Sequence, residues 1–131
     1  MGRLQPMLTK LPVICVVDDD AAVRNALKFA LEVEGLDVRV YDGAVSLLND
    51  PNASPCGCLV VDYRMPVMDG LELIGVLRGR GVEAPAILVT GRANKQLRAQ
   101  AEKLGVYCLI EKPLSDNALL DSIRSALAQA G

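Results

Sequence analysis

Apolar runs in this chain end in residues that could carry out chemistry. Asp18 and Asp19 follow the first such run, Asp62 ends Leu59-Val60-Val61, and Thr90 and Lys112 end two later runs. A buried carboxylate is costly to desolvate unless another group compensates its charge. Clustered carboxylates invite a hard divalent cation, and an oxygen-only ligand set favours Mg²⁺, with Mn²⁺ as the alternative. A hydroxyl and an ammonium group beside such a cation are suited to contact phosphoryl oxygens.

The absence of histidine narrows the chemistry further. The chain contains no histidine at all, which excludes serine-triad catalysis and a phosphohistidine on this chain. No general base is evident, but phosphoryl transfer depends mainly on positioning and charge neutralisation. Asp62 could therefore act as a nucleophile that forms an aspartyl phosphate.

Composition limits the class of protein. With 131 residues, 51% of them hydrophobic and 3% aromatic, the chain predicts one domain with an aliphatic core. Its net charge of −2 argues against nucleic-acid binding by bulk electrostatics. No apolar run is long enough to span a membrane, and residues 1–10 lack the apolar core of a signal peptide. We expect a cytoplasmic protein with a loose leader over residues 1–11 and one domain over residues 12–130.

Five strands and five helices are predicted to alternate along the chain. Alternation of this kind favours a parallel sheet covered by helices on both faces, a doubly wound α/β fold. Residues 36–41 alternate apolar and polar side chains, which predicts an edge strand, and the four apolar strands are expected inside the sheet. Ser115 or Asp116 could cap the last helix. The predicted strands cover 12–17, 36–41, 59–62, 84–90 and 106–110, and the helices lie near 21–34, 43–48, 71–78, 93–104 and 117–128.

The cysteines allow two interpretations. Three of the four lie in or beside apolar strand-like runs, which favours reduced thiols used as small hydrophobic groups. Cys56 and Cys58, with Gly57 between them, could instead form a redox or metal site. A metal is disfavoured because the chain lacks histidine and a second cysteine pair at zinc-finger spacing.

The order and spacing of these functional residues along the chain resemble those of the receiver (CheY-like) domain of two-component response regulators. The match covers about residues 12–129, and the sequence of its motifs is most similar to that of receivers of the nitrogen-fixation-regulator type. Asp62 precedes Thr90 by 28 positions (90 − 62), and Thr90 precedes Lys112 by 22 (112 − 90). The matching motifs are Asp18-Asp19, Asp62-Tyr63-Arg64-Met65-Pro66, Asp69-Gly70, Thr90-Gly91 and Lys112-Pro113.

The resemblance implies a flavodoxin-like five-stranded sheet of order 2-1-3-4-5 with five helices. It also implies that Asp62 accepts a phosphoryl group from a sensor histidine kinase or a phosphotransfer protein. Asp19 and Asp62 would ligate Mg²⁺, and Asp18 would reach it largely through water. The remaining implied contacts are the backbone carbonyl of Arg64 to the metal, and Thr90 and Lys112 to the phosphoryl oxygens. The Lys112–Pro113 bond is expected to be cis.

The same resemblance implies a switch in the fourth helix, the fifth strand and the fifth helix. Members of the family usually carry Tyr or Phe where this chain has Leu109, so the aromatic part of the switch is expected to be absent or altered. Strand alternation predicts that Tyr107 shares the face of Leu109. Arg64 and Arg92 occupy positions that tune phosphoryl lifetime in the family, or they are simply solvated. The fourth helix presents either a solvated basic face or a partner surface, which could form a homodimer.

Alternative functions come from different classes. A haloacid-dehalogenase-type phosphatase would use Asp18 and Asp20, but it needs an acidic pair on a strand after Lys112 and gives Asp62 no role. A flavodoxin-like cofactor binder lacks a glycine-rich phosphate loop here. A receiver fold could also act as a binding module that is never phosphorylated. The favoured interpretation is a signalling phosphoacceptor, not an enzyme, that catalyses only its own phosphorylation and dephosphorylation. It would be a stand-alone regulator or the receiver of a longer transcriptional regulator, without direct nucleic-acid binding by this chain.

Overall fold

Strands and helices alternate strictly along the chain. The computed structural model describes residues 12–53, 56–114 and 117–130. The predicted leader and the predicted caps Ser115 and Asp116 lie outside the described residues. Strands β1 to β5 span Val13–Val17, Asp37–Tyr41, Cys58–Asp62, Ala86–Thr90 and Cys108–Glu111, and helices α1 to α5 span Ala21–Val33, Ala44–Leu48, Gly70–Gly79, Lys95–Lys103 and Ala118–Ala130. Among the described helices, none is both long and apolar enough to cross a membrane.

The strands form one parallel sheet of order β2-β1-β3-β4-β5, which confirms the predicted flavodoxin-like fold. The register pairs Val17 with Val61 and Asp62 with Val89, and Thr90 is paired with Glu111. The strands therefore end at nearly the same level. The loops that follow β1, β3, β4 and β5 consequently meet at one edge of the sheet, where open α/β sheets place their sites.

Aliphatic side chains form a core on each face of the sheet. All five residues of β3 are buried, as expected of a central parallel strand covered on both faces. Leu59 and Val61 pack on one side with Leu73 and Ile74 of α3. The alternate positions of β3 pack on the other side with Ile123 of α5.

The prediction that all four apolar strands are interior was wrong for β5. An open five-stranded sheet has two edges, and β5 forms the edge opposite to β2. Cys108, Leu109 and Ile110 are only partly buried and Glu111 is exposed, yet both faces of the strand are covered. Leu109 contributes to one core cluster, and Cys108 and Ile110 contribute to the other. Cover on both faces explains why an edge strand has the composition of an interior one.

Tyr107 does not share the face of Leu109, contrary to the sequence prediction. It lies just before β5, where strand alternation does not apply, and packs in the cluster of Cys108 and Ile110. Its hydroxyl is 2.5 Å from the Ser125 hydroxyl on α5. Tyr107 therefore cannot take the place of the missing aromatic side chain at position 109.

Side-chain caps mark the starts of α1 and α4. Asp20 caps α1 by accepting from the backbone N–H groups of Ala22 and Val23. Asn94 caps α4 in the same way, so that helix begins at Lys95 rather than at residue 93 as predicted. Gly35 follows α1 with a φ of +88°, the left-handed conformation that glycine adopts at helix ends.

Candidate acidic site at the carboxyl edge of the sheet

Three carboxylates converge where β1 and β3 end. One oxygen each from Asp18, Asp19 and Asp62 lies within 4.8 Å of the others. Asp18 and Asp62 are buried, with 4% and 6% of their surface exposed, whereas Asp19 is exposed. Local hydrogen bonds fix Asp18, because its N–H donates to the Tyr41 carbonyl at 3.1 Å and its carboxylate accepts from the Asp20 N–H at 2.9 Å.

Lys112 reaches this cluster from the end of β5. Its Nζ lies 3.3 Å from Oδ1 of Asp62. The backbone N–H of Lys112 donates to the carbonyl of Thr90 at 2.8 Å, which ties the residue to the neighbouring strand. The Lys112–Pro113 bond is cis, as predicted. One ammonium group thus faces three carboxylates, which leaves the described site with an excess of negative charge.

Burial and mutual repulsion raise the pKa of both buried carboxylates. For Asp62 the largest cause is desolvation, followed by the charge of Asp18, and the nearby Lys112 opposes the shift. For Asp18 desolvation is again the largest cause, with the Asp20 backbone N–H acting in the opposite direction. Ionising both groups together is therefore unfavourable without a cation. A hard divalent cation such as Mg²⁺ fits this all-oxygen donor set.

Thr90 ends β4, the strand paired with that of Asp62, and its hydroxyl is hydrogen-bonded within the loop that follows. Only 1% of its surface is exposed. Its hydroxyl donates to the Arg92 carbonyl at 3.2 Å, and the Thr90 hydroxyl oxygen accepts from the Arg92 N–H at 3.4 Å. The backbone around it is close to Asp62, since the Tyr63 N–H donates to the Val89 carbonyl at 2.8 Å. The hydroxyl would have to leave Arg92 to contact a group on Asp62.

The loop after Asp62 is drawn tightly against the strand. The Gly70 N–H donates to the Tyr63 carbonyl at 2.8 Å, and a Cβ at position 70 would lie 2.6 Å from the Asp62 carbonyl oxygen. Asp69 caps α3 and forms a capping box with Glu72. In the sequence, Asp69-Gly70 is part of a family motif, and its capping residue predicts that a helix starts here. The close approach of that helix to the backbone of Asp62 comes from tertiary packing.

Strain is stored at the tip of this loop. Val67 has a φ of +73°, although β-branched residues rarely adopt positive φ. The Met68 N–H donates to the Pro66 carbonyl at 2.8 Å, so Val67 is the central residue of a γ-turn of the strained, positive-φ kind. Its side chain is 92% exposed and gains little from packing.

The remaining predicted residues surround the site without touching its carboxylates. The side chains of Arg64 and Arg92 are exposed, on the loops after β3 and β4. Leu109 belongs to the core cluster that contains Leu97 and Ala101 of α4. An aliphatic side chain therefore fills the space between β5 and α4.

Asp20, the second acid that a phosphatase would need, is hydrogen-bonded to the first turn of α1. Its carboxylate caps α1, and it is not part of the converging group of carboxylates. The Asp20 carboxylate is thus committed to the start of α1, whereas the Asp18 carboxylate converges with that of Asp62. This arrangement disfavours the haloacid-dehalogenase-type alternative.

We expect the raised pKa values to make the metal-free domain less stable as pH rises. A group whose pKa is raised by folding stabilises the fold below its unfolded pKa, near 3.8 for Asp62, and this contribution is lost as pH rises through the folded pKa. Urea unfolding of the parent and Asp62→Asn in a chelator should therefore diverge as the pH rises above about 4, with the variant gaining relative stability. Parallel curves above that pH would contradict the assignment.

Comparisons with known proteins agree with this geometry. The family described as "Response regulator receiver domain" matches residues 14–124. The transcriptional regulatory protein FixJ of Bradyrhizobium diazoefficiens is 38% identical over 117 residues, covering 89% of this chain and 57% of that protein. FixJ of Azorhizobium caulinodans is 40% identical over 124 residues, covering 95% of this chain and 58% of that protein.

A solved structure of full-length FixJ from B. japonicum is 38% identical, with a TM-score of 0.83, and the alignment covers 93% of this chain and 60% of that one. The chain thus spans somewhat more than half the length of the curated relatives named here. Fold, site geometry and similarity together show that this chain belongs to the family of response regulator receiver domains.

Proposed function

We propose that this chain is the phosphoacceptor of a two-component phosphorelay and that Asp62 is the accepting residue. The observation that carries the proposal is the convergence of Asp18, Asp19 and Asp62 within 4.8 Å, with Lys112 on Asp62 at 3.3 Å. The donor would be a phosphohistidine on a sensor histidine kinase or a phosphotransfer protein. Such a donor fits a chain that has no histidine of its own.

In the proposed reaction an Asp62 carboxylate oxygen attacks the phosphorus of the donor. The bond from phosphorus to the histidine nitrogen breaks, and its electron pair stays on the imidazole. Bound at Asp18, Asp19, Asp62 and the Arg64 carbonyl, Mg²⁺ would supply charge neutralisation for the transferring group. Lys112 is placed to bind a phosphoryl oxygen, since it already contacts Asp62.

Thr90 and the elements after it are the proposed switch. Its hydroxyl now donates to the Arg92 carbonyl, so binding a phosphoryl oxygen would break that hydrogen bond and move the loop before α4. The charge-driven shift would bias the face formed by α4, β5 and α5. Leu109 lies in this face where other family members carry an aromatic residue. The switch is therefore proposed to work without the movement of an aromatic ring.

The relatives are described as transcriptional regulatory proteins, which supports a proposal for the regulatory role of this chain and for its partners. We propose that this chain acts as the receiver of such a regulator, or as a stand-alone one, in the cytoplasm where a kinase would meet it. A homodimer through the face of α4, β5 and α5 is the proposed output contact.

Intact mass spectrometry with acetyl phosphate and Mg²⁺ tests the proposal. We expect one phosphoryl group per chain, its loss on treatment with hydroxylamine, and no gain when Mg²⁺ is replaced by a chelator. Steady turnover of a phosphate ester would instead support the phosphatase alternative. If acetyl phosphate gives no product, binding of beryllofluoride with Mg²⁺ separates a kinase-dependent receiver from a binding module that is never phosphorylated.

Substitutions at Arg64 and Arg92 are expected to change the lifetime of the phosphoryl group. Both side chains are exposed, on the loops that follow Asp62 and Thr90, from where they can shield the acyl phosphate from water. Arg64→Ala and Arg92→Ala should each change the dephosphorylation rate several-fold. Arg98→Ala, an exposed position on α4, serves as the control. Rates equal to the parent in both variants would contradict this role.

A further inference from the structure

Helix α4 is attached to the rest of the domain differently at its two ends. The helix runs from Lys95 to Lys103 and buries Leu97 and Ala101. The proposed function requires the loop before this helix to move. The attachments at the two ends therefore decide which part of α4 can follow that loop.

Arg78, in the last turn of α3, fixes the C-terminal end of α4. Its Nε donates to the Leu104 carbonyl at 3.0 Å, and its Nη2 donates to the Gly105 carbonyl at 3.3 Å. Its Nη1 donates to the carbonyls of Val82 and Ala84, before β4, at 3.0 and 2.8 Å. Because the guanidinium is planar and rigid, these contacts hold the end of α4 in one position relative to α3.

Backbone and apolar contacts strengthen the same end. The Gly105 N–H donates to the Glu102 carbonyl at 3.0 Å, which closes the last turn of the helix. Leu104 lies against α3, since a Cβ built on Gly75 would be 3.9 Å from its Cδ2. The C-terminal end of α4 is therefore held by polar and apolar contacts together.

The loop before α4 is held by side chains from the edge of the sheet that carries the acidic site. The Thr90 hydroxyl donates to the Arg92 carbonyl at 3.2 Å. The Ala93 N–H donates to Oε2 of Glu111 at 2.8 Å. Glu111 ends β5 directly before Lys112, and its side chain is exposed. Water can replace an exposed hydrogen bond of this kind at little cost, so the start of α4 is the more easily released end.

Space for a movement lies between α4 and α3. An open groove of about 450 Å³ separates the two helices, and its lining includes Tyr63, Leu71 of α3 and Gln100 of α4. A rotation of α4 about its C-terminal end can therefore narrow or widen this groove.

We propose that Arg78 fixes the C-terminal end of α4 and that Glu111 holds the loop before it, so that phosphorylation releases only the start of the helix. This inference rests on the proposed function of Asp62. When the Thr90 hydroxyl turns to a phosphoryl oxygen, its bond to Arg92 breaks and the loop leaves Glu111. Glu111 is thus a positioning residue that opposes the switch, and removing its acceptor favours the switched state.

Glu111→Ala tests this role, with beryllofluoride and Mg²⁺ as the phosphoryl mimic. We expect the variant to bind beryllofluoride about fivefold more tightly than the parent, because the hydrogen bond that opposes the switch is already absent. Loss of a merely structural contact would not tighten binding. Affinity equal to that of the parent would overturn the role of Glu111.

Glu111→Gln is the matched control for charge. Glutamine removes the negative charge near the site but keeps an oxygen that can accept from the Ala93 N–H. Its affinity for beryllofluoride should stay within about twofold of the parent, since the hydrogen bond is retained. Equal tightening in Glu111→Gln and Glu111→Ala would show that charge, not the hydrogen bond, is responsible, and would overturn the proposal.

Amide hydrogen exchange without any mimic tests the two ends of α4 independently of the function of Asp62. Glu111→Ala should speed exchange over residues 92–98 and leave residues 104–106 as in the parent. Arg78→Lys should do the reverse, because one ammonium group cannot replace the contacts of the guanidinium with four carbonyls. Unchanged exchange over 92–98 in Glu111→Ala would overturn the proposal.

The unaltered parent keeps the proposal falsifiable even if Arg78→Lys fails to fold. Adding beryllofluoride and Mg²⁺ should change exchange over residues 92–98 several-fold and leave residues 104–106 unchanged. Equal changes at both ends would overturn the fixed C-terminal end. A parent that does not bind beryllofluoride would contradict the proposed function of Asp62 instead, and exchange in Glu111→Ala would still decide how the loop is held.

Discussion

Replacing Asp62 by asparagine is expected to abolish phosphoryl uptake from acetyl phosphate altogether. Asparagine keeps the shape of the side chain but offers no carboxylate oxygen as a nucleophile. Because Asp62 is buried next to Asp18 and its pKa is raised, removing its charge should not unfold the domain. The parent should gain one phosphoryl group in the intact mass, and Asp62→Asn should gain none.

Asp20→Asn is the matched control for this experiment. Asparagine caps helices as well as aspartate does, so α1 should keep its start and the domain its stability. Phosphorylation of Asp20→Asn should match that of the parent. Loss of uptake in Asp20→Asn, together with uptake in Asp62→Asn, would move the acceptor to the end of β1 and restore the phosphatase interpretation.

Gly70→Ala is expected to give the largest loss of stability of any single methyl group added to α3. The new Cβ would lie 2.6 Å from the Asp62 carbonyl oxygen and 2.9 Å from Cδ1 of Leu88. Leu88 could adjust its rotamer, but the carbonyl belongs to the backbone of a buried central strand. Relief requires the start of α3 to move, and we expect a cost of roughly 2–4 kcal/mol in the free energy of unfolding.

Gly75→Ala tests whether this effect comes from the contact or from helix propensity. A Cβ at position 75 would meet only Cδ2 of Leu104 at 3.9 Å, an ordinary contact. Alanine should therefore stabilise the interior of α3 by about 0.5–1 kcal/mol. Urea unfolding of both variants with unchanged m-values makes the comparison. Equal effects at both positions would show that the approach of Gly70 to Asp62 is not a constraint.

The variant Gly70→Ala also links stability to function. The Gly70 N–H donates to the Tyr63 carbonyl, so a shift of the start of α3 would act directly on the loop that follows Asp62. We therefore expect the phosphorylation rate to fall even at temperatures where the variant is fully folded. A folded variant with the rate of the parent would show that α3 moves without disturbing Asp62.

The fold was predictable because each strand carries its own signal. The short apolar run Leu59-Val60-Val61 is typical of a strand that is buried on both faces. Apolar and polar side chains alternate from Leu36 to Tyr41, which is typical of an edge strand. In a parallel sheet all strands point the same way, so the residues that follow them meet at one edge. The convergence of Asp18, Asp62 and Lys112 follows from that geometry without any knowledge of side-chain contacts.

Other features depend on contacts between distant parts of the chain, which no local pattern encodes. The position of β5 at an edge, the separation of Tyr107 from Leu109, and the approach of Gly70 to Asp62 were set by packing. The hydrogen bond from the Thr90 hydroxyl to the Arg92 carbonyl likewise depends on the conformation of the loop after β4.

The order of the elements and the edge of the sheet at which the carboxylates gather could be predicted from the sequence, because hydrophobic periodicity and the alternation of strands with helices are local patterns. Which side chains touch depends on the tertiary structure. Cys56 shows the difference: Cys58, two positions on, packs on the opposite face of the sheet, whereas Cys56 packs against the cluster that contains Cys15, which lies 41 positions (56 − 15) away on β1. Alternation along a strand separates neighbours, and the sheet joins residues that are remote in the chain.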